Sequence, residues 1–427
     1  MSTSSVASKK PHLVLHFDVN KTILLCDPVS GMDVLGMLQS SVSECSWGVV
    51  DEDGHWQLTH DEPLFTAPSE HHTTYSDFLE YGEFKLLPNP ENDPAIAARN
   101  KKCKSDKKQH KKIFTDPGQP GEKMRPLFEK MVEKLRIPES LKAQCAAHEL
   151  DHLHGDFAFI LPSFFRFVSS FFRLRATVAL ANACPWHTLT IFLCAIRSID
   201  ALQREGRTFS VVFRTFGTET QEIADSFNAF RKGEHPFVPS PSASSPVFHR
   251  GTIQFPEQLG CFKRGVDGEG KETIHLHLGT IDPKQTKPYR TIEGFSAIHS
   301  FLEAESKKGV SYSLRDDYPF WASKAEASDA GKPHAVNPSD STCHHIFFDD
   351  NIERTHAHIV DCRDISQNDA TIPFQVAWNR WMVKSEPVSA LMDDLYFRKA
   401  IALCEANLKS FQVQAGKPSN KSSTTTK

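Results

Sequence analysis

Short apolar runs that end in polar side chains recur along the chain and predict buried parallel strands. Residues 12–17 (HLVLHF) end at Asp18, and residues 209–213 (FSVVF) lead into Arg214 and Thr215. Continuous apolar runs are typical of strands whose two faces are both covered. Polar residues at the carboxyl ends of such strands stand where open α/β sheets bind their ligands.

The same pattern returns in the second half of the chain. Three further runs precede polar tips: residues 310–314 before Arg315, residues 345–348 before Asp349 and Asp350, and residues 358–360 before Asp361. A helix is predicted over residues 292–306, closed by the Lys-Lys-Gly stop at 307–309. Strands separated by helices predict an α/β fold with a doubly wound parallel sheet.

The segments between these strands are longer than ordinary connections, which predicts large insertions in one core. We expect insertions at about 25–160, 173–198 and 235–290, within a core that spans residues 11–415. The first should contain a hairpin over 47–58 and a helix over 122–135, and the third a strand over 273–278. The polar ends, 1–10 and 416–427, are expected to be disordered.

The charge distribution argues against nucleic-acid binding. The net charge is −4, so no global basic field is available to hold a polyanion. One local exception is the lysine-rich run at residues 101–112, which we interpret as an exposed, mobile loop, with an anion or partner contact as the alternative.

The remaining composition predicts a cytoplasmic protein. Hydrophobic residues make up 39% and charged residues 24%, and ten scattered cysteines without a CxxC pair fit reduced thiols. The segment 176–196 has the length of a membrane span, but Asn182, Pro185 and His187 interrupt it and arginines stand at both ends. We therefore expect no membrane contact and no secretion.

Two motifs, in order along the chain, resemble the haloacid dehalogenase-like superfamily. The first is a hydrophobic strand followed by Asp18, Asn20 and Thr22 in the pattern hhhDxNxT, and the second is an apolar strand that ends in Asp349 and Asp350. The resemblance covers the core segments, about half of the chain, and not the insertions. It implies a Rossmann-like core and an aspartyl nucleophile that acts on phosphate esters with Mg²⁺.

The resemblance also implies roles for individual residues. Asp18 would be the nucleophile and Thr215 the hydroxyl that holds the phosphoryl group, while Asp349 and Asp350 would join Asp18 and Asn20 around Mg²⁺. Hard oxygen donors suit Mg²⁺. Clustered carboxylates without a cation would repel one another and raise their own pKa values.

The cation that such a site needs has several candidates in the sequence. Lys332 and Lys324 both precede the acidic strand, as the family's lysine does, and we favour Lys332. Arg315, at a strand tip, could also face the phosphoryl group. Arg214 could bind phosphate in a two-pronged geometry, or it could belong to a structural ion pair.

Asn20 is the main departure from the family pattern. Phosphatases of the family carry a second aspartate at this position, and an amide has no proton to give near neutral pH. The expected loss in rate is on the order of 10² to 10⁴. The chain is therefore expected to be a weak phosphatase, a member with other chemistry, or a catalytically inactive member that binds a phosphorylated small molecule or protein.

A second metal motif suggests a different reaction class. His148, Glu149 and His152 match H-E-x-x-H, in which two histidines on one helical face can bind zinc while the glutamate activates water. The local string HELDHLHG also resembles the third motif of peptide deformylases, although the other motifs of that family are absent. A zinc hydrolase is accordingly the less favoured alternative.

Overall fold

The structure is a computed structural model that describes residues 10–25, 32–87, 93–135, 195, 198–199, 201–232 and 252–415. The chain divides into two compact units. Unit 1 comprises residues 1–19, 195–385 and 395–427, and unit 2 comprises residues 20–194 and 386–394.

Unit 1 holds most of the strands. They are β1 (His12–Asp18), β5 (Phe209–Thr215), β6 (Leu259–Val266), β7 (Glu272–Leu278), β8 (Arg290–Glu293), β9 (Tyr312–Arg315), β10 (Lys332–Val336), β11 (Cys343–Asp349), β12 (Val360–Asp364), β13 (Ala370–Thr371) and β14 (Met382–Lys384). The described helices of unit 1 are α5 (Thr220–Arg231), α6 (Phe295–Ser306), α7 (Tyr318–Ser323), α8 (Phe374–Ala377) and α10 (Tyr396–Ala415). Unit 2 contains β2 (Trp47–Val50), β3 (Trp56–Leu58), β4 (Thr73–Thr74), α1 (Val34–Glu44), α2 (Tyr75–Asp77), α3 (Pro94–Lys112), α4 (Arg125–Leu135) and α9 (Pro387–Met392).

Unit 1 is built on an eight-stranded sheet in the order β14-β11-β1-β5-β9-β6-β7-β8. The strands from β14 to β6 run parallel, and β7 and β8 extend the sheet antiparallel. The predicted α/β class with a largely parallel sheet is therefore confirmed at this level. A small second sheet joins β10, β12 and β13.

The central strands form where the sequence has continuous apolar runs. Every residue of β1 and of β11 is buried, as expected for strands covered on both faces. Phe17 and Phe348 stack with ring centroids 4.9 Å apart, and Phe397 of α10 packs edge-on against both. This packing fixes the register of β1 against β11 directly beneath the polar strand ends.

Two predicted elements of unit 1 differ from the structure. Residues 358–360 were expected to supply the fifth strand of the main sheet, but β12 belongs to the small sheet, where it pairs with β10. The edge strand is β14, which pairs with β11. The helix predicted over 292–306 begins at Phe295, because Ile292 lies in β8 and pairs with Leu276.

The segment expected as an insertion at about 235–290 joins the main sheet over its described part. Strand β6 pairs in parallel with β9, and β7 follows it through a tight turn. The predicted strand over 273–278 is present as β7, whose residues alternate between partly exposed and buried positions. The third addition thus enlarges the core sheet.

In unit 2 the predicted hairpin is present. Strands β2 and β3 pair antiparallel around the turn at residues 51–55, and Asp51 accepts backbone hydrogen bonds from Asp53 and His55. The helix predicted over 122–135 occurs as a short 3₁₀ turn, Glu122–Met124, followed by α4. Its buried side chains are spaced at helical intervals, which gives the amphipathic pattern that drives burial.

The lysine-rich run at 101–112 is helical, so its prediction as a mobile loop was wrong. It forms the second half of α3, which begins with an Asp93 cap and Pro94 in the first turn. Three of the lysine charges are compensated by carboxylates elsewhere in unit 2: Lys107 lies 2.7 Å from Glu80, Lys111 3.7 Å from Glu44 and Lys112 3.5 Å from Asp33. Basic side chains in the last turn also interact favourably with the helix dipole.

Several expectations fall outside the described residues. They are the polar ends except Lys10, nearly all of the addition at 173–198, and the Pro- and Ser-rich part of the third addition. Within the described ranges, no helix has the length and apolar character that a membrane crossing requires. The six described cysteines, at positions 45, 103, 261, 343, 362 and 404, carry free thiols.

Candidate active site

The candidate site lies at the carboxyl ends of the central strands of unit 1. Strand β1 is flanked by β5 on one side and β11 on the other, and all three run parallel. The chain leaves β1 towards β5 and β9, and later returns to the opposite side at β11. Ligands of open α/β sheets bind where the strand order reverses in this way.

Three carboxylates converge at this position. Asp18 ends β1, Asp349 ends β11 and Asp350 follows it, and one oxygen from each lies within 4.8 Å of the others. All three residues are buried. The structure thus brings together three of the four residues that were predicted around a metal ion, and a donor set of three hard oxygens suits a hard divalent cation.

Lys332 supplies a positive charge to two of the three carboxylates. It opens β10, its side chain is 1% exposed, and its ammonium donates to Asp18 Oδ1 and, over 2.8 Å, to Asp349 Oδ2. Burial alone would lower the pKa of this ammonium, but Asp18, Asp349 and Asp316 together outweigh it and raise the pKa. Lys332 is therefore charged at neutral pH.

Neighbouring groups shift the pKa of the Asp18 carboxyl in opposite directions. Burial raises the pKa of its carboxyl well above the ordinary range, the Lys332 ammonium lowers it, and repulsion from Asp349 and Asp350 raises it again. One lysine thus compensates the cluster only in part. A cation bound to the same oxygens would favour the ionised form of Asp18.

Backbone and side-chain amides hold the acidic pair in place. The backbone N–H of Asn351 donates to Asp349 Oδ1 over 2.9 Å, and its side-chain amide donates to Asp350 Oδ1 over 3.1 Å. Lys384, on β14, donates to the backbone carbonyl of Asp350 over 2.7 Å. The loop after β11 is therefore fixed from both sides.

Thr215 ends β5 beside Asp18, one residue beyond the Asp18–Arg214 register pair. Its hydroxyl donates to Glu219 over 2.6 Å and accepts from the backbone N–H of Gly217 over 2.9 Å. These bonds orient the hydroxyl at the start of the loop that leads to α5. A phosphoryl oxygen would have to replace Glu219 as the acceptor.

Arg214 takes part in a buried ion pair, the second of the two interpretations that the sequence allowed. Its guanidinium is fully buried and binds Asp316 through two nitrogens, with Nε 3.0 Å from Oδ2. Another nitrogen donates to the carbonyl of Pro333 over 3.1 Å. These bonds occupy the two-pronged face that phosphate would need, and they tie β5 to the residue that follows Lys332.

The two other candidate cations lie differently. Arg315 ends β9 and donates weakly to the carbonyl of Phe216, over 3.4 Å. Lys324 is exposed after α7, where its ammonium lies 5.6 Å from the centre of the Phe320 ring. Of the lysines and arginines considered from the sequence, Lys332 is the one whose contacts with the acidic cluster the structure records.

An aromatic wall beside Lys332 was missed by the sequence interpretation. The ammonium lies 5.0 Å from the centre of the Phe216 ring, and Phe216 stacks on Trp321 at 5.3 Å. Tyr318 packs edge-on against Phe216 at 5.5 Å and is half exposed. Phe216 directly follows Thr215, and this position just after a predicted strand end was the sequence feature that could have placed its ring near the site. The wall limits the access of water to the ammonium.

Two groups of predicted site residues remain. Asn20 follows Asp18 by two residues, and its backbone forms a β-bridge with Leu24. The zinc motif of His148, Glu149 and His152 falls outside the described residues, so the structure adds nothing to that alternative.

Comparison of the chain with protein-family models, with curated proteins and with solved structures found no significant match. What the structure establishes is an α/β protein whose main sheet is largely parallel, with a buried acidic cluster and a lysine at the carboxyl edge of that sheet.

Proposed function

We propose that the chain is a Mg²⁺-dependent phosphohydrolase of the haloacid dehalogenase type, with Asp18 as its nucleophile and a slow turnover. The observation that carries the proposal is the meeting of Asp18, Asp349 and Asp350 with the Lys332 ammonium at the point where the strand order reverses. A carboxylate nucleophile, a charge-compensating lysine and a hard-oxygen metal site are the groups that aspartyl phosphoryl transfer needs.

The residues would divide the work as follows. Asp18 attacks phosphorus, the bond from phosphorus to the leaving oxygen breaks, and a water then hydrolyses the aspartyl-phosphate to release inorganic phosphate. Lys332 lowers the pKa of the Asp18 carboxyl and offsets negative charge on the phosphoryl oxygens. Asp349 and Asp350, with Asp18, would hold Mg²⁺, which supplies further positive charge to those oxygens. Thr215 would donate to one of them.

Asn20 would limit the rate of this chemistry. The leaving oxygen needs a proton as its bond to phosphorus breaks, and the water that attacks the aspartyl-phosphate needs a base. The carboxamide of Asn20 supplies neither. The leaving group must then take its proton from solvent, which favours substrates whose leaving oxygens are weakly basic.

The test is Mg²⁺-dependent hydrolysis of a generic aryl phosphate by the wild type, Asp18→Asn and Asn20→Asp. We expect a slow wild type, no turnover by Asp18→Asn, and an Asn20→Asp variant faster by about 10² to 10⁴. Glu269→Gln is the matched control, because it removes an exposed carboxylate from the turn between β6 and β7. It should retain the wild-type rate. If all three proteins are folded and none hydrolyses the aryl phosphate, the phosphatase proposal is wrong.

A binding function without turnover is the second candidate, and the observation that favours it is again Asn20. A site with the Lys332–Asp18 pair but no proton donor could hold a phosphorylated small molecule or protein and release it unchanged. Equilibrium binding of Mg²⁺ and of inorganic phosphate, lost in Asp349→Asn and accompanied by no turnover in any variant, would support this candidate over the first.

A further inference from the structure

A cavity of about 630 Å³ lies within unit 2. It is open to solvent and is bordered by the tip of the β2–β3 hairpin, by a π-helical turn, Phe78–Glu83, and by the end of α3. Its volume lies in the range of small-molecule sites, which extends from about 300 to 1,000 Å³. Single π-helical turns are rare and occur frequently at functional sites. The volume and the π-helical turn are both typical of a ligand-binding site.

Three aromatic side chains form one side of the cavity. Trp56, Tyr75 and Phe78 line it, with Trp56 and Tyr75 at 5.1 Å and Tyr75 and Phe78 at 6.2 Å between ring centroids. The polar edges of two of these rings are engaged: the Trp56 indole N–H donates to the carbonyl of Thr73 over 3.1 Å, and the Tyr75 hydroxyl lies 3.4 Å from His110 Nδ1. The rings are therefore held in fixed orientations. Trp56 and Tyr75 are almost fully buried, and Tyr75 also stacks on Phe114, so the partly exposed Phe78 ring is the one whose electron-rich face a cation can reach.

Besides two histidines, the lining contains two acidic residues and no lysine or arginine. The carboxylates of Asp53 and Glu83 line the cavity, and neither forms an ion pair with a lysine or arginine in the part of unit 2 that the structure describes. Burial and the charge of Glu83 raise the pKa of Tyr75 to about 12, so the phenol stays neutral. The nearby ammonium of Lys107 is directed to Glu80 instead.

From this combination we infer that the unit 2 cavity binds a small organic cation with an ammonium head group. Carboxylates at the walls disfavour an anion. Asp53 and His55, with Asp51, could offer ligand atoms to a metal ion, but the aromatic side of the cavity offers none. An alkylammonium uses both sides, because its charge faces the carboxylates while its methyl groups pack on the Phe78 ring. The inference goes beyond the proposed phosphohydrolase and is independent of it, since every residue that it uses lies in unit 2.

The experiment compares two probes on the full chain by saturation-transfer NMR titration. One is choline, and the other is its neutral carbon isostere, in which a tert-butyl group replaces the trimethylammonium. We expect saturable choline binding that is about two- to thirty-fold tighter than that of the isostere, the range that a cation–π contact provides. Equal affinities, or no saturable binding of either probe, would overturn the inference.

Matched variants locate the binding. Glu83→Gln keeps the shape of the wall and removes its charge, so it should weaken choline binding several-fold and leave the isostere unaffected. Phe78→Leu should weaken choline more than the isostere, because it keeps apolar bulk and removes a ring face. The control is Glu52→Gln, an exposed carboxylate of the same hairpin outside the lining. If it weakened choline as much as Glu83→Gln does, the effect would be a general one of charge and the inference would fail.

Discussion

Replacing Lys332 by methionine should destabilise unit 1 by about 3–5 kcal/mol at neutral pH, because it leaves two buried carboxylates without their shared partner. Lys332 is 1% exposed, and its partners Asp18 and Asp349 are 6% and 0% exposed. Methionine has nearly the same length, so lost packing contributes little. For a unit of this size the midpoint of thermal unfolding should fall by about 6–20 °C.

The pH dependence of this loss follows from Asp18. Without the ammonium, the pKa of the Asp18 carboxyl, already raised by burial, rises further, because Lys332 is the group that lowers it. The folded variant then binds a proton more tightly than the unfolded chain does. Its deficit relative to the wild type should therefore shrink as the pH falls, since a neutral carboxyl no longer needs the missing charge.

The assay is thermal and urea unfolding of both proteins at several pH values, followed by circular dichroism. Lys307→Met is the control, because Lys307 forms a partly exposed pair with Glu303 and should contribute less than about 1 kcal/mol. The reasoning would be refuted if Lys332→Met matched the wild type to within 1 kcal/mol. A deficit that did not change with pH would refute its electrostatic part.

Three further predictions concern other parts of the molecule. In wild-type protein, hydrolysis rates should fall steeply from aryl to alkyl phosphates, and Asn20→Asp should reduce this dependence; a flat wild-type series would contradict the missing proton donor. Burial first, and neighbouring histidines after it, hold the pKa of His345 well below its ordinary 6.5, so the unfolded imidazole binds a proton that the folded one does not. Stability should then fall as the pH drops below about 6.5, against the opposite trend of buried carboxyls such as Asp18, and His345→Asn should reduce the measured slope by about 1.4 kcal/mol per pH unit. Gly48→Ala should destabilise the unit 2 hairpin, since its methyl would lie 2.3 Å from the carbonyl oxygen of Gln57 and 2.5 Å from the Trp56 ring; hydrogen exchange localised to β2 and β3 would check it.

The central strands could be predicted because their signal is local. Each of β1, β5 and β11 carries a largely apolar run that indicates a covered position, and each ends at a polar residue. Parallel strands place such ends at one edge, but the grouping of Asp18 with Asp349 and Asp350 was implied by the resemblance to the haloacid dehalogenase-like superfamily. The length of β14, three residues, gave too little pattern for the edge strand to be recognised.

The α3 helix was missed because hydrophobic periodicity is not what stabilises it. None of its side chains is fully buried, so the hydrophobic pattern that identifies most helices is absent. What stabilises it is a cap at Asp93 and ion pairs to Glu80, Glu44 and Asp33, which are distant in sequence. The cap was visible in the sequence, whereas the partners depend on the tertiary structure.

The role of Arg214 was open for a similar reason. From sequence alone, an arginine at a strand end can be an anion ligand or one half of a structural ion pair. The two cannot be separated until the carboxylate that it binds is known, and Asp316 lies 102 residues further along the chain. Lys332 presented the opposite case. Its place before the acidic strand suggested the site, but its contacts depend on β10, which pairs with β12 rather than with the main sheet.

The contrast between Lys332 and Asn20 bears on which proposed function is the better one. Lys332 is buried against Asp18, and burying a charged pair costs desolvation that packing alone would not require. A site that only had to hold a phosphate could use exposed cations at lower cost. An ammonium bound directly to the carboxylate instead favours the ionised form of Asp18, which is the form that acts as a nucleophile. Asn20 removes the proton transfer but leaves nucleophilic attack possible. The two residues together therefore favour an enzyme that can form the aspartyl-phosphate and is slow to resolve it. Brief incubation with an aryl phosphate should then give a burst of phenol close to one equivalent, and the burst should be absent from Asp18→Asn.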